Sequence, residues 1–149
     1  MVVLCSGEMA KLVVQNALFG DTWRVADLVV PRCVYTEPEV AGVGLTRDGA
    51  ARAGRAVDVY KASLQHNDRA ILEGKDGDGG FVEVLCDSGT DRVVGGVVVA
   101  SSAGDIINEL TLAVQHKVGL AALARVIHAY PTLGEGVMQA ALNIIRAKW

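Results

Sequence analysis

The stretch Phe81–Ser101, FVEVLCDSGTDRVVGGVVVAS, contains two apolar segments joined by a short polar connection. Side chains in FVEVLCD alternate with the period of two that is typical of a strand, and the valine-rich VVGGVVVAS follows the linker SGTDR. This arrangement predicts a β-hairpin. The glycine pair inside the second segment predicts a bulge or a close backbone approach.

The residues before the hairpin predict further strands and one short helix. CVYTEPEVAGVGL (33–45) predicts a short strand and a turn at Pro38, and AVDVYKASL (56–64) alternates as a strand. Between them, TRDGAARAG predicts a short helix that Thr46 caps and Gly54 ends. The following NDRAILEGKDGDGG (67–80) is expected to be a polar, glycine-rich connection.

Helical periodicity marks both ends of the chain. It predicts an N-terminal helix over 7–20, a helix over 102–119 that stops at Gly119, a short helix within 120–130 and a last helix over 132–149. Strands are thus grouped together and most helices follow them. The fold class predicted is α+β, an antiparallel sheet with helices packed on one face. The lack of strand–helix alternation argues against a dinucleotide-binding fold.

Composition limits the classes of function. The 149 residues suit one domain, and the net charge of −3 gives no reason to expect binding to nucleic acid. The longest apolar runs are too short to span a bilayer, and the N-terminus lacks the basic region of a signal peptide. We therefore expect a soluble intracellular protein, in the cytoplasm, or in an organelle if an upstream targeting segment is missing. High mean hydropathy indicates an apolar face for a partner.

The three cysteines predict neither a metal site nor a redox pair. Cys5, Cys33 and Cys86 are widely spaced and no CxxC occurs. Cys33 and Cys86 lie in strand-like segments, where buried and unreactive thiols are expected.

Other motifs carry weak signals. Asp76 and Asp78 resemble the start of a calcium loop, but a glycine takes the third carboxylate position and a solvated turn is favoured. The GxG at 42–44 lacks the third glycine of a phosphate loop, and the chain contains no G-x-G-x-x-G or Walker sequence. His66 and His116 are expected at the surface or at a helix end.

The stretch HAYPTLGEG (128–136) has two interpretations. Pro131 favours an extended backbone conformation for Tyr130. Thr132 and Glu135 form the T-x-x-E pattern of a capping box at a helix start. Neither His128 nor Tyr130 is required for that purpose. The residues alone therefore leave open whether this is a helix start or a site of proton transfer.

Several segments together resemble one family. CVYTEPEVAGVGL, NDRAILEG, DRVVGGVVVASSAGDIINELTLAVQ and HAYPTLGE occur in the same order in the C-terminal dimerisation domain of the pyridine nucleotide-disulfide oxidoreductases. These flavoproteins include dihydrolipoamide dehydrogenase, glutathione reductase and mercuric reductase. The resemblance covers about 30–147, and the helix before it looks like the last helix preceding this domain. It implies that residues 1–29 are a helix and connector from a preceding FAD domain and that 30–149 form the dimerisation domain.

The resemblance implies a role in catalysis across a homodimer. In the family, NAD(P)H reduces FAD, which reduces a cysteine pair, and an H-P-T-x-x-E motif enters the partner's active site. Its histidine exchanges protons with a thiolate, and its glutamate orients the histidine. Pro131, Thr132 and Glu135 match this motif, but Tyr130 stands in place of the histidine. The implied catalytic residues are Tyr130 and Glu135, with Tyr130 and Pro131 near the partner's flavin.

The tyrosine changes what the motif can do. A phenol has a pKa of about 10 and is a poor base near neutrality. Mercuric reductases look similar in carrying tyrosine there, although they usually end in a vicinal cysteine pair and this chain ends IIRAKW. His128 is a possible replacement base, because residues two apart in an extended segment point the same way. Dihydrolipoamide dehydrogenases have a histidine at this earlier place without using it as the base, so we expect His128 to be a spectator.

Three hypotheses follow. The first is an interface domain of a FAD- and NAD(P)H-dependent oxidoreductase that holds no FAD or NAD(P)H itself and is inactive alone. The second is a free-standing homodimerising domain that regulates full-length flavoenzymes, and the third is a small-ligand sensor. For the first, a disulfide, a quinone, mercuric ion or a lipoyl group all remain open as substrate.

Overall fold

A computed structural model describes the backbone of residues 2–146 and the side chains of residues 6–146. The side chain of Cys5 and the last three residues of the predicted final helix lie outside the described residues. The strands are β1 (Arg32–Val34), β2 (Glu39–Gly44), β3 (Val57–Ser63), β4 (Phe81–Asp87) and β5 (Val93–Ala100). The helices are α1 (Val2–Phe19), α2 (Arg47–Arg52), α3 (Asp68–Leu72), α4 (Ala103–Gln115), α5 (Leu120–Leu123) and α6 (Glu135–Arg146), with a 3-10 turn at Val25–Asp27.

The sheet is antiparallel throughout and contains the predicted hairpin. Its five strands run in the order β1-β2-β5-β4-β3. Strands β4 and β5 pair with Val84 opposite Gly96, and a register shift follows Leu85. The α+β class with an antiparallel sheet is confirmed.

The two long helices that follow the sheet cover the same face of it. Val84 pairs with Gly96, and a Cβ placed at Gly96 would lie 2.7 Å from Leu110 Cδ1 of α4. Val82, which shares this face, lies 2.9 Å from the position a Cβ would take at Gly136 of α6. Glycine at these two positions lets each helix approach the strands closely, and the core is buried between them.

The opposite face carries an ion pair in place of a long helix. Glu83, which alternates with the core-facing valines, is 8% exposed and accepts a hydrogen bond from Arg47 Nε of α2 at 2.8 Å. A charge this well buried needs such a partner. Thr46 caps α2 as predicted, because its hydroxyl accepts the Gly49 N–H at 3.1 Å.

Four helices differ from the sequence-based prediction. Helix α1 begins at Val2 instead of residue 7, and α6 begins at Glu135 instead of Thr132. The segment expected to be a plain connection contains α3, which Asn67 caps by accepting the Ala70 N–H at 3.1 Å. Five residues are too few for helical periodicity to reveal. Helix α4 ends at Gln115, before the predicted stop, because Lys117 adopts a φ of 55° and turns the chain. No helix within 2–146 is long and apolar enough to cross a membrane.

Candidate functional site

The loop between α5 and α6, which contains His128–Gly134, is fixed to the start of α3. Asn67 is 1% exposed, and its Nδ2 donates to the carbonyl oxygen of Thr132 at 3.0 Å. Its Oδ1 is used in the cap of α3. One buried amide therefore connects the loop to a helix that precedes it by about sixty residues.

Tyr130 projects from this loop toward solvent. Tyr130 is 71% exposed, and its Oη donates a hydrogen bond to Asp68 Oδ2 at 2.6 Å. The hydrogen bond to the Asp68 carboxylate, together with the negative charge there and at Glu135, raises the pKa of Tyr130. The phenol therefore stays neutral to a higher pH than a free tyrosine, and even less phenolate is present near neutrality to act as a base.

Glu135 and Thr132 form only half of the predicted capping box. Glu135 Oε2 accepts the Thr132 N–H at 3.1 Å, as the pattern requires. The Thr132 hydroxyl instead donates to the carbonyl oxygen of Ala129 at 2.8 Å, and α6 begins only at Glu135. The prediction that Thr132 caps the helix is wrong, because its side chain closes the loop rather than the helix end.

His128 and Tyr130 have different partners. His128 Nε2 lies 3.1 Å from both carboxylate oxygens of Glu109 on α4, and Nδ1 lies 3.1 Å from the carbonyl oxygen of Val126. The His128 side chain is 9% exposed, whereas Tyr130 is open to solvent. The structure therefore does not bring the imidazole to the phenol hydroxyl, and His128 anchors the start of the loop to α4.

An apolar patch includes two residues from the first part of this loop. It consists of Leu112, Val126 and Ile127, which are 60%, 46% and 96% exposed. These side chains and Glu109 and His128 line one shallow cavity. We call this surface the Ile127 patch. Exposed apolar side chains grouped in this way are typical of a surface that binds another protein.

The other candidate residues are dispersed. Gly42 and Gly44 lie within β2 and pair with β5, so the GxG is part of the sheet and not a phosphate loop. Asp78 lies 3.8 Å from the ammonium of Lys75 in an exposed turn. His116 follows α4 as its C-cap. Among the described residues, no group of three histidine, cysteine or acidic side chains is placed to hold a metal ion.

The buried thiol is held in its neutral form. Cys86 is fully buried, and burial with the nearby charge of Asp91 raises the pKa of its thiol to about 12. Cys33 is half-buried, and burial raises its pKa as well.

We expect Cys86 to resist alkylation in the native chain. At about pH 8 a thiol with this pKa is ionised in only about one molecule in ten thousand, and the thiolate is the reactive form. Mass spectrometry after treatment with iodoacetamide should show Cys86 unmodified until denaturant is added. Modification at the rate measured for the unfolded chain would contradict this expectation.

Sequence reasoning missed the partners of the two candidate side chains. Asp68 was part of a segment interpreted as a connection, and Glu109 was one polar residue on the exposed side of a predicted helix. Asn67 offered a signal, since asparagine is a preferred N-cap. The pairings of Tyr130 and His128 depend on tertiary packing and had no local signal.

Comparisons with known proteins identify the family of the chain. A family model described as pyridine nucleotide-disulphide oxidoreductase, dimerisation domain, matches residues 30–141. Dihydrolipoyl dehydrogenase from Thermus scotoductus is 42% identical over 127 residues, which are 85% of this chain and 26% of the relative. The enzyme of the same name from Trypanosoma brucei brucei is 39% identical over 76% of this chain and 23% of the relative. The chain thus spans about a quarter of the length of these curated relatives.

Solved structures give the same result. LpdA from Mycobacterium tuberculosis is similar with a TM-score of 0.76 at 28% identity, over 89% of this chain and 28% of that one. The Cu(II) complex of the flavoprotein disulfide reductase RclA from Escherichia coli has a TM-score of 0.80 at 19% identity, over 90% of this chain and 30% of that one. The second likeness concerns the fold alone.

Proposed function

Because the chain belongs to the pyridine nucleotide-disulphide oxidoreductase dimerisation-domain family, we propose that it acts across a dimer interface. In this proposal the Ile127 patch binds a second subunit, and the adjoining loop contributes Tyr130 and Glu135 to that subunit's active site. The reaction class is the transfer of electrons from NAD(P)H through FAD to a disulfide. His128 stabilises the loop and does not take part in proton transfer.

The observation that carries the proposal is the position of the loop within the family match. Residues 30–141 include all of the P-T-x-x-E pattern at 131–135. The Tyr130 side chain is exposed, and it follows directly after a surface that is apolar and also exposed. In this proposal a partner that covers the Ile127 patch also contacts Tyr130, which follows Ile127 by three residues in the sequence.

We propose that FAD and NAD(P)H are held by other parts of the enzyme. The GxG at 42–44 does not fit a phosphate of either group: a Cβ at Gly44 would lie 2.3 Å from the carbonyl oxygen of Val94, so the backbone of β5 occupies the space beside this glycine. The sequence contains no other glycine-rich phosphate motif. Bound to its own domain, FAD would supply the two-electron chemistry. Tyr130 and Pro131 would lie near the partner's flavin, and the chain alone is expected to be inactive.

We assign residues 1–29 to the link with a flavin-binding domain. Helix α1 leaves Val13, Leu18 and Phe19 more than half exposed, whereas Leu12 is 8% exposed. These side chains lie before the start of the family match at residue 30. Exposed apolar side chains grouped on one helix support this assignment, since such surfaces often bind another domain.

An interface variant tests this proposal. Replacing Ile127 with glutamate places a charge at the centre of the Ile127 patch, and the dimer dissociation constant is expected to rise at least about thirtyfold, since loss of a central contact costs about 2 kcal/mol. Sedimentation velocity over a range of concentrations measures the change. The matched control is Leu72→Glu on α3, where a 73% exposed leucine lies outside the patch.

The outcomes separate the hypotheses. A wild-type chain that stays monomeric at every concentration would contradict the dimer proposal, as would equal effects of the two variants. NADH or NADPH oxidation by the purified chain would contradict the placement of the cofactors on other domains. A dimer that also binds and slows a full-length relative would favour the regulatory alternative.

A further inference from the structure

The carboxylate that holds Tyr130 is not the one the family motif supplies. Tyr130 Oη donates to Asp68 Oδ2 at 2.6 Å, whereas Glu135 accepts the backbone N–H of Thr132. Glu135 affects the phenol only through its charge. In the family's H-P-T-x-x-E motif the glutamate orients the acid–base side chain, whereas here the carboxylate of Asp68 holds the side chain at position 130.

The N-cap and the first residue of α3 hold the loop at two points. Asn67 donates to the carbonyl of Thr132 at 3.0 Å, and Asp68 accepts from Tyr130 two residues earlier. Asn67 is 1% exposed, so its position is fixed by packing. The neighbouring Arg69 pairs with Glu73, the C-cap of α3, and the pair leaves Asp68 available for the phenol.

We propose that Asp68 is the positioning residue of Tyr130, so that the orienting carboxylate stands on α3 instead of α6. The inference rests on the proposed function, in which Tyr130 reaches the partner's active site. The hydrogen bond commits the single phenol proton to Asp68. Tyr130 therefore meets a substrate as a hydrogen-bond acceptor, and the chemical class it suits is a thiol or another S–H or O–H donor.

A pH titration of phenolate absorbance on the 149-residue chain tests the assignment. Tyr130→Phe identifies the step that belongs to Tyr130, because Tyr35 and Tyr60 also titrate. In Asp68→Asn the titration midpoint of Tyr130 is expected to shift downward, since the charged acceptor that stabilises the neutral phenol is gone. Asp68→Glu should keep the midpoint above that of Asp68→Asn, because it restores a carboxylate.

Two further variants keep the test decisive. Asp76→Asn removes a carboxylate from the exposed turn after α3 and should leave the midpoint at the wild-type value. Asn67→Ser retains a helix cap but loses the donor to Thr132, and it should lower the midpoint although Asp68 is intact. Circular dichroism of each variant confirms that it is folded.

The result separates this inference from the proposed function. An unchanged midpoint in folded Asp68→Asn would overturn the role of Asp68. The titration requires neither flavin nor substrate, so that outcome leaves the dimer proposal to the sedimentation measurement. Conversely, a chain that stays monomeric in sedimentation while Asp68→Asn still shifts the Tyr130 midpoint would support the Asp68–Tyr130 pair. That result would contradict only the role of the pair in a partner's active site.

Discussion

Replacing Gly95 with alanine is expected to lower the free energy of unfolding by about 3 kcal/mol, the upper part of the range for overpacking. A Cβ at this position would lie 2.1 Å from the carbonyl oxygen and 2.6 Å from the nitrogen of Leu45. Leu45 N donates to the Val94 carbonyl at 3.0 Å, so the two backbones are joined at this point. Since backbone atoms cannot rotate away, the methyl group must separate β5 from the end of β2. Urea unfolding monitored by circular dichroism measures the loss.

Gly77→Ala is the matched control. A Cβ at Gly77 would meet no atom within 4 Å, and its φ is not positive. The control should therefore change stability by no more than about 0.5 kcal/mol. Equal unfolding midpoints for the two variants would show that the close approach of Leu45 to Gly95 does not exist in solution.

The VVGGVV segment shows what a sequence can establish about this fold. A glycine pair between valines breaks the β-branched pattern of a strand, and this predicted a bulge or a close backbone approach. The approach of Leu45 to Gly95 confirms that prediction. The paired strand Phe81–Asp87 was equally visible from the alternation of its side chains, although the structure buries both of its faces from Val82 to Cys86.

The side-chain partners at the candidate site had no comparable signal. Asp68 and Tyr130 are 62 residues apart in sequence, and His128 and Glu109 are 19 apart. Each pairing forms only when α3 and α4 have taken their places around the loop. Periodicity reports which side of an element is buried, whereas a hydrogen bond between distant residues depends on the final packing.

One short helix and the end of a longer helix were not predicted from the sequence, for a related physical reason. Helix α3 has five residues and is set by one capping side chain, Asn67. Helix α4 ends where Lys117 takes a left-handed φ, a conformation that lysine rarely adopts and that no residue pattern indicated. A single capping side chain or one backbone angle sets such features, and a periodicity that needs several turns does not reveal them.

A graft of this chain into a complete flavoprotein should show how much activity is lost when tyrosine replaces histidine. We would exchange the matching segment of the Thermus scotoductus dihydrolipoyl dehydrogenase for residues 30–141 of this chain. The graft is expected to lose about a hundredfold in dihydrolipoyl dehydrogenase activity relative to the parent, because general acid–base catalysis contributes about 10²–10⁴-fold and the phenol cannot act as the base. Steady-state kcat/KM measures the loss.

Tyr130→His within the graft should then recover at least about tenfold. An imidazole titrates near pH 6.5, so kcat/KM of this variant should rise through that range, a step that the tyrosine graft should lack. The matched control is His128→Gln, which removes an imidazole paired with Glu109 but leaves an amide donor in its place. We expect its kcat/KM to stay within about threefold of the unmodified graft, since in our proposal His128 anchors the loop to α4 and does not transfer protons. A recovery of kcat/KM with Tyr130→His and an unchanged kcat/KM with His128→Gln would locate proton transfer at position 130. No gain from Tyr130→His, or a tenfold loss from His128→Gln, would place proton transfer elsewhere.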